Sequence, residues 1–177
     1  MVITSYLNAG GNRMNNSKHN GRFTPIQLNP IGQVCRHGEK TILELAEPYR
    51  PGLKQLDKFS HIIVLWWANQ RDNEEYRNIM QVRPPYAEDK LTGIFATRAE
   101  YRPNPIGLST CKIKAVDEVN GTIEIYNMDA FDDTPILDIK GYFHVCDRVE
   151  NVRIPEWLDG WGEWMPDEGL GFYEEAE

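Results

Sequence analysis

Apolar and polar positions along this chain fall into short runs that suit strands better than helices. Ile31 to His37 and Thr41 to Leu45 read as two strands joined by a hairpin turn at His37-Gly38-Glu39-Lys40. After the turn-rich stretch Glu47 to Gly52, Leu53, Leu56 and Phe59 recur at helical spacing, which predicts a short helical turn over one end of the sheet. His61 to Ala68, H-I-I-V-L-W-W-A, is continuously apolar and predicts a central strand buried on both faces. It breaks off at Asn69-Gln70-Arg71-Asp72, so polar side chains stand where a buried strand leaves the core.

Asp72 to Met80 predicts a short helix capped by Asp72 or Asn73, with Tyr76, Ile79 and Met80 inward. Arg83-Pro84-Pro85-Tyr86 reads as extended chain barred from a central ladder. A strand opens at Gly93 through Ile94, Phe95 and Thr97. Leu108 to Val119 alternates Cys111, Ile113 and Ala115 against Lys112 and Lys114; Asn120-Gly121 is a strong hairpin signal, and Thr122 to Met128 returns. Asp129 to Ile139 is a loop feeding the short strand I-L-D-I-K. About seven strands with little helix predict an all-β dominated fold, an antiparallel barrel-like single domain with one or two short helices.

Composition changes this picture at the ends. Residues 1–22 are rich in Asn, Gly and Ser without apolar periodicity and read as a flexible leader. The barrel domain is then expected over 23–146, and 147–177 as an acidic, Trp-rich C-terminal strap. Trp157, Trp161 and Trp164 share one face at helical spacing, although Gly160 and Gly162 disfavour a helix. An aromatic strap packed over the barrel is the expectation; a cover for a neighbouring subunit or the ligand mouth is the alternative. No apolar run is long enough to span a membrane, and no secretory pattern opens the chain. Three scattered cysteines do not make a disulfide framework, and a cytoplasmic location follows as the expectation.

The net charge of −8 argues at first against a nucleic-acid partner. Its distribution weakens that objection, because residues 147–177 alone carry −8 while residues 76–114 hold seven basic against three acidic residues. A local basic surface is therefore compatible with the acidic whole.

The stretch from Gly93 to Gly107, G-I-F-A-T-R-A-E-Y-R-P-N-P-I-G, carries the candidate chemistry. Pro103 and Pro105 stiffen a turn that presents Asn104, with Arg98 and Arg102 on either side, and Gly107 allows a close approach. A rigid loop loses less entropy on gripping a ligand. Cys35-x-His37 and His144-x-Cys146 would each share one strand face and could together make a Cys₂His₂ metal site, but their spacing matches no zinc motif and no metal is expected. No G-x-G-x-x-G loop is present, which disfavours a Rossmann methyltransferase.

The same stretch resembles the signature of the TrmO/TsaA-like family, whose core reads F-A-T-R-x-x-x-R-P-N-P-I-G. F-S-H-I at 59–62 and D-x-x-D-x-T-P-x-x-D-I-K at 129–140 are similar to further family blocks, so the resemblance covers roughly residues 30 to 142. It implies a barrel that binds S-adenosyl-L-methionine and N6-methylates threonylcarbamoyladenosine at position 37 of tRNA. It further implies a homodimer with the cofactor near the subunit interface. Cofactor contacts carried over by the resemblance, together with the turn residues, fall on Asn69, Gln70, Arg98, Arg102, Pro103, Asn104, Leu108, Asp133, Thr134, Pro135, Ile136, Leu137 and Asp138. Arg98 and Arg102 suit a carboxylate or an RNA phosphate, and Asp138 an ammonium. Arg77, Arg83 and Lys90 are candidate phosphate contacts. No general base is evident.

Three departures stand out. Asp133 replaces the usual family Gly, Gly141 replaces Pro, and the segment between the first two strands is short. These leave open a cofactor-binding sensor without chemistry, or a methyltransferase for a small molecule or protein.

Overall fold

A computed structural model describes residues 25–167. The leader at 1–22 and the last ten residues of the acidic strap lie outside the described residues. Six strands close into an antiparallel barrel: β1 (Gly32–His37), β2 (Lys40–Leu45), β3 (His61–Trp67), β6 (Ile106–Asp117), β7 (Thr122–Ile125) and β8 (Pro135–Gly141). Their order around the barrel is β1-β2-β7-β6-β3-β8, and β8 returns to β1 through Gly32 opposite Ile136. The short β4 (Gln81–Val82) and β5 (Thr92–Gly93) pair with each other outside the barrel. The antiparallel barrel with few helices is thus as expected, with eight described strands, six of them in the barrel.

Hairpin chemistry sets the first pairing. His37 faces Lys40, and Gly38 takes the left-handed conformation with φ 58° that the tight turn needs. The Asn120-Gly121 hairpin also forms, although its loop is longer: Asp117 faces Thr122, and the Asp117 carboxylate accepts from the Val119 and Asn120 backbone N–H groups.

β3 is not buried on both faces. Ile62, Val64 and Trp66 fill the barrel, whereas His61, Ile63, Leu65 and Trp67 point outward and are half-buried. A closed barrel has one interior. The outward apolar residues hid this alternation in the sequence. Val34, Leu43, Ile123, Ile125, Cys111 and Ile136 complete the interior. Burial pushes the Cys111 thiol up to about 12, so it stays protonated as a packing group.

Four other expectations change. Residues 94–96 form a 3-10 turn instead of a strand, since the Thr97 hydroxyl donates to the Ile94 carbonyl at 2.8 Å and takes that group from any ladder. Arg83 to Tyr86 is not extended: Ala87 N–H closes a turn on the Pro84 carbonyl, with Pro85 in the position prolines favour. The helix expected over 72–80 shrinks to α1 (Glu74–Arg77), capped by Asn73 through the Tyr76 N–H, and Met80 is exposed. β7 stops at Ile125, three residues early.

The three tail indoles do not share a helical face. Trp157 stacks on Tyr86 at 5.7 Å and Trp161 meets the same ring edge-on at 5.2 Å, while Trp164 is exposed beside Arg148. The strap is thereby held on the Pro84–Ala87 turn, and Asp167 pairs with Lys112 of β6. His144 and Cys146 lie in the short helix α2 (His144–Asp147), where positions two apart diverge, so the strand-face metal arrangement is not built. Among the described residues no three of His, Cys, Asp and Glu cluster as metal ligands.

Gly107 is a close contact of the β3–β6 pair. It faces Trp66, and a Cβ there would stand 2.1 Å from the indole Cε2. Gly107→Ala is therefore expected to lose about 1–3 kcal/mol or more of stability through overpacking. Urea unfolding would read this as a lower midpoint, and a midpoint like the parent's would show that the barrel end is loosely packed.

Candidate functional site

The site is built where β3 leaves the barrel. Ala68 N–H donates to the Pro105 carbonyl at 2.8 Å, which lays the proline turn against the strand exit. Asp72 accepts from the Trp67 indole at 3.0 Å and from Arg77, and Arg77 also donates to the Pro103 carbonyl at 3.3 Å and lies over the Trp67 ring. This chain of contacts ties the strand exit, α1 and the proline turn into one unit. The Arg77 hydrogen bond holds the Asp72 carboxyl below the usual carboxylate range, helped by the Trp67 indole and opposed by burial.

The loop from Asp129 to Thr134 approaches from the other side. Arg36 of β1 donates to the Ala130 and Met128 carbonyls at 2.9 and 2.6 Å, and its backbone N–H meets the Asp132 carboxylate at 2.7 Å. Backbone bonds Asp133 N–H to Val34 and Val34 N–H to Thr134 continue the staple. Asp133 adopts φ 59°, the left-handed conformation that favours glycine. Burial raises the pKa of Asp129, opposed by Arg36.

Between these segments lies a shallow, open cleft lined by Trp66, Ala68, Asn69, Gln70, Arg71, Glu100, Phe131 and Thr134. Of the residues singled out in the sequence, Asn69, Gln70 and Thr134 are on its wall. Arg102, Pro103 and Asn104 are in the adjoining turn. Leu108 and Asp138 flank Leu65 across β6, β3 and β8 on the outer barrel face, with Leu108 44% exposed. Arg98 is exposed and does not line the cleft. Pro135 opens β8, Leu137 lies at the irregularity opposite Leu65 and Trp66, and the Ile136 side chain is inside the barrel.

Sequence reasoning missed Arg71 and Glu100. Arg71 Nε is 3.6 Å from Glu100 Oε2, and its guanidinium sits over the rings of Tyr101 and Tyr76 at 5.5 and 5.9 Å. A signal existed: Arg71 directly follows Asn69-Gln70, and Glu100 is the single acid inside the signature.

The chemistry of the wall fits a cofactor with an adenine, a cationic centre and an amino-acid end. Trp66 and Phe131 offer aromatic surface, Asn69 and Gln70 amide donors and acceptors, and Arg71 with Glu100 opposite charges. The cleft is open to solvent and encloses no space for a ligand by itself, so a cofactor would extend over neighbouring surface.

The family model of the tRNA-methyltransferase O N-terminal domain matches residues 18–148. The chain belongs to this family. Crystal structures of TrmO superpose with TM-scores of 0.57; one shares 28% identity and covers 74% of this chain and 64% of its own. A second, TrmO from Pseudomonas aeruginosa, shares 26% identity and covers 73% and 61%. A probable S-adenosyl-L-methionine-binding protein of Methanocaldococcus jannaschii is 42% identical over 114 residues, covering 64% of this chain and 89% of that one. The mouse tRNA (adenine(37)-N6)-methyltransferase is 34% identical over 102 residues, 58% of this chain and 23% of the mouse protein. The chain thus spans less than two thirds of either TrmO structure and under a quarter of the mouse enzyme.

Within this tRNA-methyltransferase O domain, the Asp72 network gives a pH signature. Its folded pKa lies below the unfolded value of about 3.9. Its stabilisation is therefore full above the unfolded value and is lost as pH falls through the folded one. Asp72→Asn is expected to be less stable than the parent at neutral pH, with the gap closing in acid. Urea titrations in the two ranges check this, and a gap independent of pH would assign the loss to packing.

Proposed function

We propose that this chain binds S-adenosyl-L-methionine at the barrel-end cleft and transfers its methyl group to N6 of an adenosine in tRNA. The proposed acceptor is threonylcarbamoyladenosine at position 37, in the anticodon loop. The observation that carries the reading is the convergence of two distant segments, the proline turn and the Asp129–Thr134 loop, on one cleft beside Asn69 and Gln70. Membership of the family and the relatives described as cofactor-binding and tRNA-methylating proteins support it.

S-adenosyl-L-methionine would supply an electrophilic methyl group, its sulfur leaving as a neutral thioether while the displaced N6 proton passes to solvent. What remains for the chain is to position and to exclude water, since an in-line displacement gains most from alignment. The stapled loops suit that role, because Arg36 and Arg77 commit their donors to loop carbonyls and so hold the walls rigid. The Arg77 side chain thereby belongs to the scaffold, which leaves Arg83 and Lys90 as the stronger phosphate candidates of the basic stretch. Lys90 also pairs with Asp89, and Arg83 donates to the Glu88 carbonyl. A splayed loop base would present its N6 without duplex melting.

We also place the cofactor positions Arg98, Leu108 and Asp138 at the rim, where a second copy of the chain in a homodimer would complete a cleft too small for the whole ligand. Residues 133–138 contribute through the loop and the start of β8. The cytoplasm is the corresponding location, where tRNA is found and the free thiols Cys35, Cys111 and Cys146 stay reduced. The second reading is a cofactor sensor, favoured by relatives described only as S-adenosyl-L-methionine-binding proteins.

The test offers radiolabelled cofactor with tRNA carrying threonylcarbamoyladenosine. Label is expected in the tRNA, and Arg98→Ala, folded by thermal melting, is expected to lower cofactor affinity about thirtyfold. Tight cofactor binding without label in any tRNA would favour the sensor.

A further inference from the structure

The arginines of this barrel divide by what they touch. Arg36, Arg50, Arg77 and Arg83 each donate to a carbonyl or carboxylate. Arg71 is different. Its side chain is 25% exposed, its Nε is shielded from solvent, and among the described residues that Nε has no hydrogen-bond partner. The 3.6 Å to Glu100 Oε2 is an ion pair too long for a hydrogen bond. Tyr76 and Tyr101, themselves packed at 4.7 Å, hold the guanidinium plane between α1 and the signature loop. Aromatic faces orient a guanidinium but accept little from its N–H groups. The residue also lines the cleft. A buried donor without an acceptor is costly to the fold, and a ligand that supplies the acceptor removes that cost on binding.

We propose that Arg71 is the receptor for a ligand carboxylate in this cleft. The planar fork of a guanidinium matches the two oxygens of a carboxylate, and the tyrosine faces have already set its orientation. Glu100 neutralises the guanidinium when no ligand is present and yields the N–H edge to the incoming carboxylate. This inference rests on the proposed function, whose reactants offer two carboxylates: the amino-acid end of the cofactor and the threonyl group of the modified adenosine. Glu100 separates them. The cofactor's amino-acid end carries an ammonium that Glu100 would meet, whereas the threonyl nitrogen is acylated and carries none.

The experiment measures binding of S-adenosyl-L-methionine and of its decarboxylated analogue by calorimetry. It also measures KM and kcat on tRNA bearing threonylcarbamoyladenosine with the threonyl carboxylate free or esterified. The proteins are the parent, Arg71→Gln, Arg71→Lys and Glu100→Gln. For a cofactor carboxylate, Arg71→Gln weakens S-adenosyl-L-methionine about thirtyfold and leaves the decarboxylated analogue unchanged, and Glu100→Gln also weakens the cofactor. For a threonyl carboxylate, Arg71→Gln leaves cofactor affinity unchanged and raises KM about thirtyfold on the free acid only, with kcat kept and Glu100→Gln without that penalty. Arg71→Lys keeps the charge without the fork, and an intermediate loss is expected; it also serves if Arg71→Gln does not fold. Equal effects on ligands with and without the carboxylate, or no effect in a folded variant, overturn the proposal while leaving the function standing. A folded parent that binds no cofactor and methylates no tRNA overturns both, and is told apart because the parent itself is silent.

Discussion

The register between β3 and β6 is the constraint on which the rest of the structure depends. Trp66 faces Gly107, and only a residue without a side chain leaves room for the indole. That match places Ile62, Val64 and Trp66 inside the barrel together. It also ends the ladder at Trp67 opposite Ile106, where Ala68 takes the Pro105 carbonyl. A slip of one residue would turn every core side chain of β3 outward. The same pairing that fills the core therefore delivers the proline turn to the strand exit and brings Asn69, Gln70 and Arg71 beside it.

Around that pair, the walls of the cleft are held by charge-assisted hydrogen bonds as well as by the burial of Ala68, Met128 and Ala130. Hydrogen bonds to charged groups contribute about 1.5–3 kcal/mol each, and Arg36 makes two, with the Ala130 carbonyl of the Asp129–Thr134 loop and the Met128 carbonyl just before it. Arg77 does the same for the proline turn. Loops fixed in this way need little rearrangement to receive a ligand. The overall charge of −8 is compatible with this use of arginine, because much of the acidity lies in the C-terminal strap, whose described part is held on Tyr86 and Lys112.

Much of this was legible in the sequence. The hairpin at Gly38, the strand at His61, the stiff proline turn and the close approach at Gly107 all have local causes that single residues announce. The left-handed need at Asp133 was also readable, because the family carries glycine there and the backbone adopts φ 59°. What escaped had non-local causes. Outward apolar residues on β3, which are only half-buried, masked its alternation. Thr97 diverted its own segment from a strand into a 3-10 turn through one side-chain bond. Tyr86 holds Trp157 and Trp161 on one ring, while Trp164 lies apart beside Arg148. Arg71 and Glu100 are 29 residues apart in sequence, and only the fold shows that they share a cleft with two tyrosines.

The central claim is that the barrel end formed by the β3 exit, the proline turn and the Asp129–Thr134 loop is the place where the cofactor binds. Backbone amide spectra of the labelled chain, titrated with S-adenosyl-L-methionine, test it most directly. The account predicts that the resonances of Ala68 to Arg71, Arg98 to Leu108 and Phe131 to Asp138 shift together with one saturating affinity. The Asp117–Thr122 hairpin, which carries none of the cofactor positions, is predicted to stay still. Shifts centred on that hairpin, with the three cleft segments unmoved, would contradict it.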